Sequence, residues 1–259
     1  MAFAKKSLGQ NFLISPRIVE AIAKAGELKE GETVIEIGPG KGALTKALLA
    51  TGAKVKAVEK DTRLIPILSE EFRKDISEEK FDLIHADILE TPLENLVSAD
   101  EPYKVIANIP YYITGAIIKK FLSEKNAPKS MILMVQKEVA TRIMAKDSKE
   151  SILSLSVKAY ATPELVMNVS RGNFFPIPNV DSAVIKLTNA KKPFEDNERE
   201  EKFFEYVKTG FSSKRKKLIS NLEAVETKEN LKEKFAKLGL SENTRAEDVS
   251  LENWIKLSA

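Results

Sequence analysis

The sequence predicts an α/β fold, an open and mostly parallel sheet covered by helices on both faces, followed by a small all-helical domain. Five short apolar runs carry the first part: Thr33–Ile37, Lys54–Val58, Phe81–Ile84, Lys104–Ala107 and Ser130–Val135. They are of strand length and do not alternate polar with apolar, as strands buried on both faces do not. Stretches with helical spacing lie between them, and strand–helix alternation implies parallel strands joined by crossovers. The helical part rests on a shift in composition after Leu187, where the chain becomes highly charged and its apolar residues take helical spacing.

Each element follows from its local pattern. Ala43, Leu44, Ala47 and Leu48 share one helical face, as do Ile117, Ile118, Phe121 and Leu122. Two later strands, Glu164–Val169 and Ala183–Leu187, follow a helical segment around Leu153–Tyr160. A loop rich in Gly, Phe and Pro joins them, which predicts an antiparallel hairpin at the sheet edge and brings the strands to seven. Ala190–Arg199 contains Pro193 and many charges and reads as a linker. Beyond Glu200, Phe203, Phe204, Val207 and Phe211 are spaced for one helix face. The expected domains are residues 1–190 and 191–259.

A chain of 259 residues, 43% hydrophobic and 31% charged, is long enough for one large domain and a small one. A net charge of +3 does not by itself point to a nucleic-acid partner, so that case rests on where the basic residues sit. The chain has no cysteine, which excludes disulfides, thiolate metal sites and a cysteine nucleophile. His85 is its one histidine, which excludes a multi-histidine metal site within the chain, and no metal is expected. His85 stands at a strand end and reads as structural. No apolar run approaches the ~20 residues that span a bilayer, and the first residues lack a signal-peptide core. The expected location is the cytoplasm, with no membrane partner.

The first strand runs into Gly38-Pro39-Gly40-Lys41-Gly42 and then a helix. Glycines there allow a sharp turn and close approach of a ligand. The spacing is neither the dinucleotide fingerprint nor a P-loop, and a tight turn alone would also explain it. Glu59 ends the second strand, twenty-one residues after Gly38. A carboxylate at that place can accept both hydroxyls of a ribose. Together, loop and carboxylate favour a nucleoside cofactor at the carboxyl edge of the sheet. Asp87, after the third strand, either bonds the exocyclic amine of an adenine ring or caps the next turn.

The fourth strand ends in Asn108-Ile109-Pro110-Tyr111. The amine of adenine is a poor nucleophile because its lone pair is delocalised into the ring. An enzyme that methylates it must hold both N–H bonds so that the lone pair faces the methyl donor. The Asn108 side-chain oxygen and a backbone carbonyl beside Pro110 are candidate acceptors. Pro110 stiffens the turn, and Tyr111 offers a flat face for the base. No strong base is needed, so positioning and electrostatics should supply most of the rate. The plain alternative is a strand-to-helix turn with a half-buried tyrosine. In Asn173-Phe174-Phe175-Pro176-Ile177-Pro178, two adjacent phenylalanines cannot both face one core if the backbone is extended. Either one clamps the base from its other side, or both pack under a rigid proline loop.

These segments resemble the KsgA-type small-subunit ribosomal RNA adenine dimethyltransferases, from Lys5 to about Leu222. Leu8-Gly9-Gln10-Asn11-Phe12-Leu13, Glu36–Thr45, Asn108–Tyr111, Gln136-Lys137-Glu138, Phe174–Ser182 and Phe211–Leu222 carry the likeness, with Ile109 in place of the commoner leucine. The resemblance implies a Rossmann-like, seven-stranded, mostly parallel sheet of the class I S-adenosylmethionine-dependent methyltransferases. It implies cofactor contacts from Asn11, Leu13, Gly38, Gly40, Glu59, Asp87 and Asn108, with Glu59 on the ribose and Asp87 on the cofactor's adenine. It selects Phe174 as the base-clamping ring. The implied reaction places two methyl groups on N6 of each of two adjacent adenines in the 3′-terminal hairpin loop of small-subunit RNA. S-adenosylhomocysteine is the by-product, and each target base must leave its stack.

Lys214-Arg215-Lys216-Lys217 is the densest basic run and reads as phosphate-binding, with Lys5 and Lys6 adding to the same groove; a solvated helix face is the plain alternative. The expected partner is small-subunit ribosomal RNA within a pre-assembled subunit, recognised largely by shape, and the expected state is a monomer. The nearest rival is an Erm-type large-subunit RNA methyltransferase, in which Asn-Ile-Pro-Tyr also occurs. Val180-Asp181-Ser182-Ala183 and Phe211–Leu222 favour the small-subunit family. A second rival is a ribosome-assembly or transcription factor that keeps the fold without catalysis.

Overall fold

The computed structural model describes residues 10–110, 113–145, 149–189 and 194–259. In chain order its first elements are β1 (Phe12–Leu13), α1 (Pro16–Ala25), β2 (Thr33–Ile37), α2 (Ala43–Leu49), β3 (Lys54–Glu59), α3 (Ile65–Glu71), α4 (Arg73–Ser77) and β4 (Phe81–His85). Then come β5 (Tyr103–Asn108), α5 (Thr114–Ser123), β6 (Ser130–Gln136), α6 (Lys137–Met144), α7 (Ile152–Lys158), β7 (Ala161–Val169), β8 (Phe174–Phe175) and β9 (Ser182–Asn189). The chain ends in α8 (Asn197–Gly210), α9 (Leu218–Leu222), α10 (Lys228–Lys237) and α11 (Leu251–Ser258). It divides into two compact units.

The first unit holds the described residues up to Ala140 together with Pro163–Asn189. Its seven-stranded sheet has the order β4-β3-β2-β5-β6-β9-β7. Strands β4, β3, β2, β5 and β6 run parallel, and β9 is antiparallel to β6. Every residue of β2 is buried, as a central strand with both faces covered requires. Strand β7 instead alternates half-buried with exposed residues between buried ends, which suits an edge strand with one wet face. Both β7 and β9 extend beyond the runs expected for them. Leu44 and Leu48 of α2 and Ile117, Ile118, Phe121 and Leu122 of α5 are buried, while Ala43 is exposed. Strand order reverses between β2 and β5, since the chain builds outward from β2 to β4 on one side and from β5 to β6 on the other. Such a reversal leaves a crevice outside the carboxyl ends of the two strands, the usual ligand position in open α/β sheets.

A small ribbon lies apart from this sheet. Strands β1 and β8 pair antiparallel, Phe12 opposite Phe175 and Leu13 opposite Phe174. The sequence gives no local sign of it, because each strand has two residues and its partner lies about 160 positions away.

The second unit comprises Thr141–Thr162 and the described part of 190–259. Phe203, Tyr206, Leu231, Phe235 and Trp254 form its buried centre. Trp254 stacks on Phe211 with ring centroids 5.8 Å apart. A Cβ on Gly210 would come within 2.4 Å of the Trp254 ring, so only glycine fits there. The segment with α7, which precedes residue 190, belongs to this unit: Tyr160 stacks on Phe204 at 5.9 Å, and the Glu150 amide donates to the Glu247 carbonyl at 2.8 Å. The linker is shorter than expected. The Asp196 side chain accepts the Arg199 amide at 2.8 Å, so α8 is already under way at Asn197. Phe194 packs on Phe203 at 5.1 Å instead of standing in solvent. No helix among the described residues is long and apolar enough to cross a membrane.

Candidate functional site

A cavity opens at the reversal point. Gly38, Gly40, Glu59 and Asp87 line it from the ends of β2, β3 and β4, and Asn108, Ile109 and Pro110 from the end of β5. Asn11, Phe12 and Leu13 close another side. Nine residues singled out in the sequence thus meet around one space, although they come from five separate parts of the chain.

The glycine loop shapes the floor. Gly38 has φ +65°, a left-handed conformation that disfavours side chains, and a Cβ built on it would meet nothing within 4 Å. The open space in front of Gly38 is therefore available to a ligand's own atoms. Gly42 is also left-handed, at φ +81°, for a different reason: a Cβ there would strike the Phe72 ring at 2.5 Å, behind the loop.

Glu59 is buried, and its carboxylate accepts the Asp61 amide at 2.7 Å and the Gly40 amide at 3.2 Å. Burial raises its pKa, against these two bonds. The bonds aim the carboxylate, whose remaining lone pairs can take ligand hydroxyls. Asp87 takes the capping role and also faces the cavity. It lines the cavity, and its Oδ1 accepts the Leu89 amide at 3.0 Å, which caps the following turn. Lys60 beside it holds the carboxyl below its ordinary range.

Glu36 was not singled out as a site residue. It lies in the middle of β2, 1% exposed, and lines the same cavity. Its carboxyl accepts the Thr45 hydroxyl at 2.7 Å. Desolvation, with the nearby Glu59 charge adding to it, pushes its pKa up to about 8. A glutamate inside an otherwise apolar strand was the available signal. Asp61, also missed, is 4% exposed and held far below the usual carboxylate range by Arg63. Arg63 engages both carboxylate oxygens, and Oδ2 also accepts the Gln10 side chain at 2.8 Å, which ties the stretch before β1 to the end of β3.

Asn108 is half-buried, and its side-chain nitrogen donates to the Asn11 carbonyl at 3.4 Å. That leaves its oxygen as the end of the amide available to accept. The Pro110 carbonyl accepts the Ile113 amide at 3.2 Å, closing the turn. Tyr111 lies outside the described residues, as do Lys5, Lys6, Leu8 and Gly9.

The structure does not bring Phe174 to the cavity. The two phenylalanines do face opposite ways, but Phe174 is the inward one, 1% exposed in the hydrophobic core beside its ribbon partner Leu13. Phe175 is 65% exposed. As the structure stands, Phe174 backs the wall that Leu13 presents to the cavity and does not offer a ring to a base. His85 is exposed and pairs with the Thr62 hydroxyl at 3.2 Å. Among the described residues no group of His, Cys, Asp or Glu could hold a metal.

In the second unit Lys214, Arg215, Lys216 and Lys217 are all exposed, on a turn between α8 and α9 and not on the face of a helix. Buried Asn221 fastens this turn: its amide nitrogen donates to the Gly210 carbonyl at 2.6 Å and the Ser213 carbonyl at 3.1 Å.

Over residues 1–259 the sequence matches the family described as ribosomal RNA adenine dimethylase. The chain belongs to this family. Among its relatives, the ribosomal RNA small subunit methyltransferase A of Dehalococcoides mccartyi strain CBDB1 is 43% identical over 98% of this chain and 87% of its own length. The protein of the same name from Clostridium botulinum strain Loch Maree is 40% identical over 98% and 92%. Two solved structures have the same architecture. A dimethyladenosine transferase from Plasmodium falciparum superposes with TM-score 0.77 at 28% identity, covering 95% of each chain. The 23S ribosomal RNA methyltransferase ErmE superposes with TM-score 0.77 at 26% identity, covering 96% of this chain and 98% of its own. The dimethylase sheet is the class I methyltransferase fold, and the family's use of S-adenosylmethionine fits a cavity with an open glycine floor and a buried, backbone-aimed glutamate.

Proposed function

We propose that this dimethylase methylates N6 of two adjacent adenines in the 3′-terminal hairpin loop of small-subunit ribosomal RNA. Each base becomes N6,N6-dimethyladenosine, and S-adenosylhomocysteine is released. One observation carries the reading: the open floor at Gly38 and the amide of Asn108 face one cavity at the carboxyl ends of β2 and β5. Donor and acceptor sites are thereby side by side.

S-adenosylmethionine, when bound, supplies a methyl group on a positively charged sulfur that leaves readily. Glu59 takes the ribose hydroxyls, Asp87 the adenine ring of the cofactor, and Asn11, Leu13 and Gly40 complete the enclosure. The Asn108 oxygen accepts one N–H of the target amine. The Pro110 carbonyl is already used within its turn, so the Ile109 carbonyl is the better second acceptor. Holding both N–H bonds leaves the nitrogen lone pair directed at the methyl carbon, which is positioning catalysis without a base. Tyr111 supplies the stacking face. Phe174 could reach the base only by leaving the core, so its role here is to support the wall.

The proposed organisation is a catalytic domain within residues 1–190 and a helical RNA-binding domain over 191–259, which the Thr141–Thr162 segment joins, acting as a cytoplasmic monomer on a pre-assembled subunit without a metal. Lys214–Lys217 would contact phosphates and position the RNA without reading its sequence. Mass spectrometry of ribosomal RNA from unmodified small subunits, after incubation with protein and S-adenosylmethionine, tests the reaction. Two adjacent dimethyladenosines are expected. Primer extension on both ribosomal RNAs separates this from the Erm-type reading, and modification confined to the large-subunit RNA would overturn the assignment.

A further inference from the structure

The ribbon of β1 and β8 has an inner and an outer face. By the period of two in extended chain, Leu13 and Phe174 share the inner face, and both are buried. The outer face carries Phe12 and, directly across from it, Phe175. Ile14 and Ile177 lie just beyond the ends of β1 and β8 and are exposed as well. An outward ribbon face is ordinarily polar. This one is apolar throughout, with Phe175 65%, Ile177 64% and Ile14 59% exposed. It is also continuous with the site, because Phe12 lines the cavity at one end of the face. The Lys41 ammonium sits over the Phe12 ring at 5.0 Å and supplies a cation at the same rim.

We propose that this outer face, with Phe175 at its centre, is a stacking platform for an unstacked nucleobase of the substrate RNA. The inference rests on the reading of the chain as an RNA adenine methyltransferase. A base that enters the cavity must leave its helical stack, which also strips its neighbours of a stacking partner. An exposed aromatic ring beside the entrance can replace that partner whatever the neighbour's identity, since every base has a π face. The Lys41 cation at the rim suits a flanking phosphate. Phe175 thus lowers the cost of opening the RNA without touching the methyl donor.

The experiment measures initial rates with S-adenosylmethionine and unmodified small subunits for the wild type and for Phe175→Ala, Phe175→Leu and Phe175→Tyr. Binding of S-adenosylmethionine is measured separately for each. The ring is exposed, so all three variants should fold. Stacking predicts that Phe175→Ala and Phe175→Leu raise the KM for subunits roughly 5- to 100-fold, the range of one base–aromatic contact. Phe175→Tyr should stay within about twofold of wild type, and cofactor affinity should not change. A leucine variant with wild-type KM would overturn the platform, because apolar area alone would then suffice. Unchanged KM in the alanine variant would overturn it outright. A wild type that methylates no small subunit defeats the underlying function instead, so the two failures are distinguishable.

Discussion

Glu36→Gln should change how the stability of the protein depends on pH. The carboxyl of Glu36 is 1% exposed and has its pKa raised from the ordinary 4.5 to about 8. The folded protein therefore keeps a proton that the unfolded chain loses. The sign follows directly. Stability linked to this group is fully present below 4.5 and is lost as pH rises toward 8. In that window each pH unit costs the wild type about 1.4 kcal/mol at most. Glutamine keeps an oxygen for the Thr45 hydroxyl, nearly the same volume, and no proton to lose. Urea unfolding of both proteins at roughly pH 5.5, 6.5 and 7.5 reads the difference, each transition first being checked for two-state behaviour. Subtracting the curves cancels the titrations of groups that do not interact with Glu36; Glu59, which does, contributes to the difference. The variant should gain on the wild type as pH rises, by about 1 kcal/mol or more over the range, with about 2.7 as the ceiling. Parallel curves would refute the reasoning, since they would mean that Glu36 is as ionised in the folded protein as in the unfolded chain.

Asn108→Ala should lower kcat by roughly 100-fold or more while S-adenosylmethionine affinity, read by calorimetry, falls far less, because misplacing the target amine acts chiefly on the rate. A variant that mainly lost cofactor binding would remove Asn108 from the amine. Phe174→Ala should destabilise the protein by about 3–5 kcal/mol in urea unfolding, the range for deleting a buried ring; intact stability with lost turnover would restore a base-clamping role. Lys216→Ala should weaken binding of small-subunit RNA and reduce the slope of log affinity against log salt by about one; an unchanged slope would take Lys216 off the phosphate.

The central sheet was legible because its strands are buried on both faces and therefore read as unbroken apolar runs. The cavity was legible through a combination at successive strand ends, Gly38, Glu59 and Asn108, each of which alone has a plain alternative. What escaped notice depends on distant partners. The pairing of Phe12 with Phe175 joins segments that carry no local mark of each other. For the same reason the sequence left open whether both phenylalanines pack inward or face opposite ways, and which of them reaches the core. Glu36 is the one charge in an apolar run, and the run marks the strand without marking that the carboxyl lines a cavity at its end. The basic run Lys214–Lys217 gave no sign of leaving the helix. Its turn is held by Asn221 from a later element, through carbonyls at Gly210 and Ser213.

The amide of Asn108 is held at its nitrogen end by the carbonyl of Asn11, ninety-seven positions earlier. The direction of the proposed acceptor is thus decided outside the strand that carries it. A chain shortened past Leu13 could retain all seven strands, the glycine floor and Glu59, yet leave that amide free to rotate. Loss of the leading segment would then disturb the reacting centre as a point mutation there does, and would also cost stability, because Leu13 leaves the core beside Phe174.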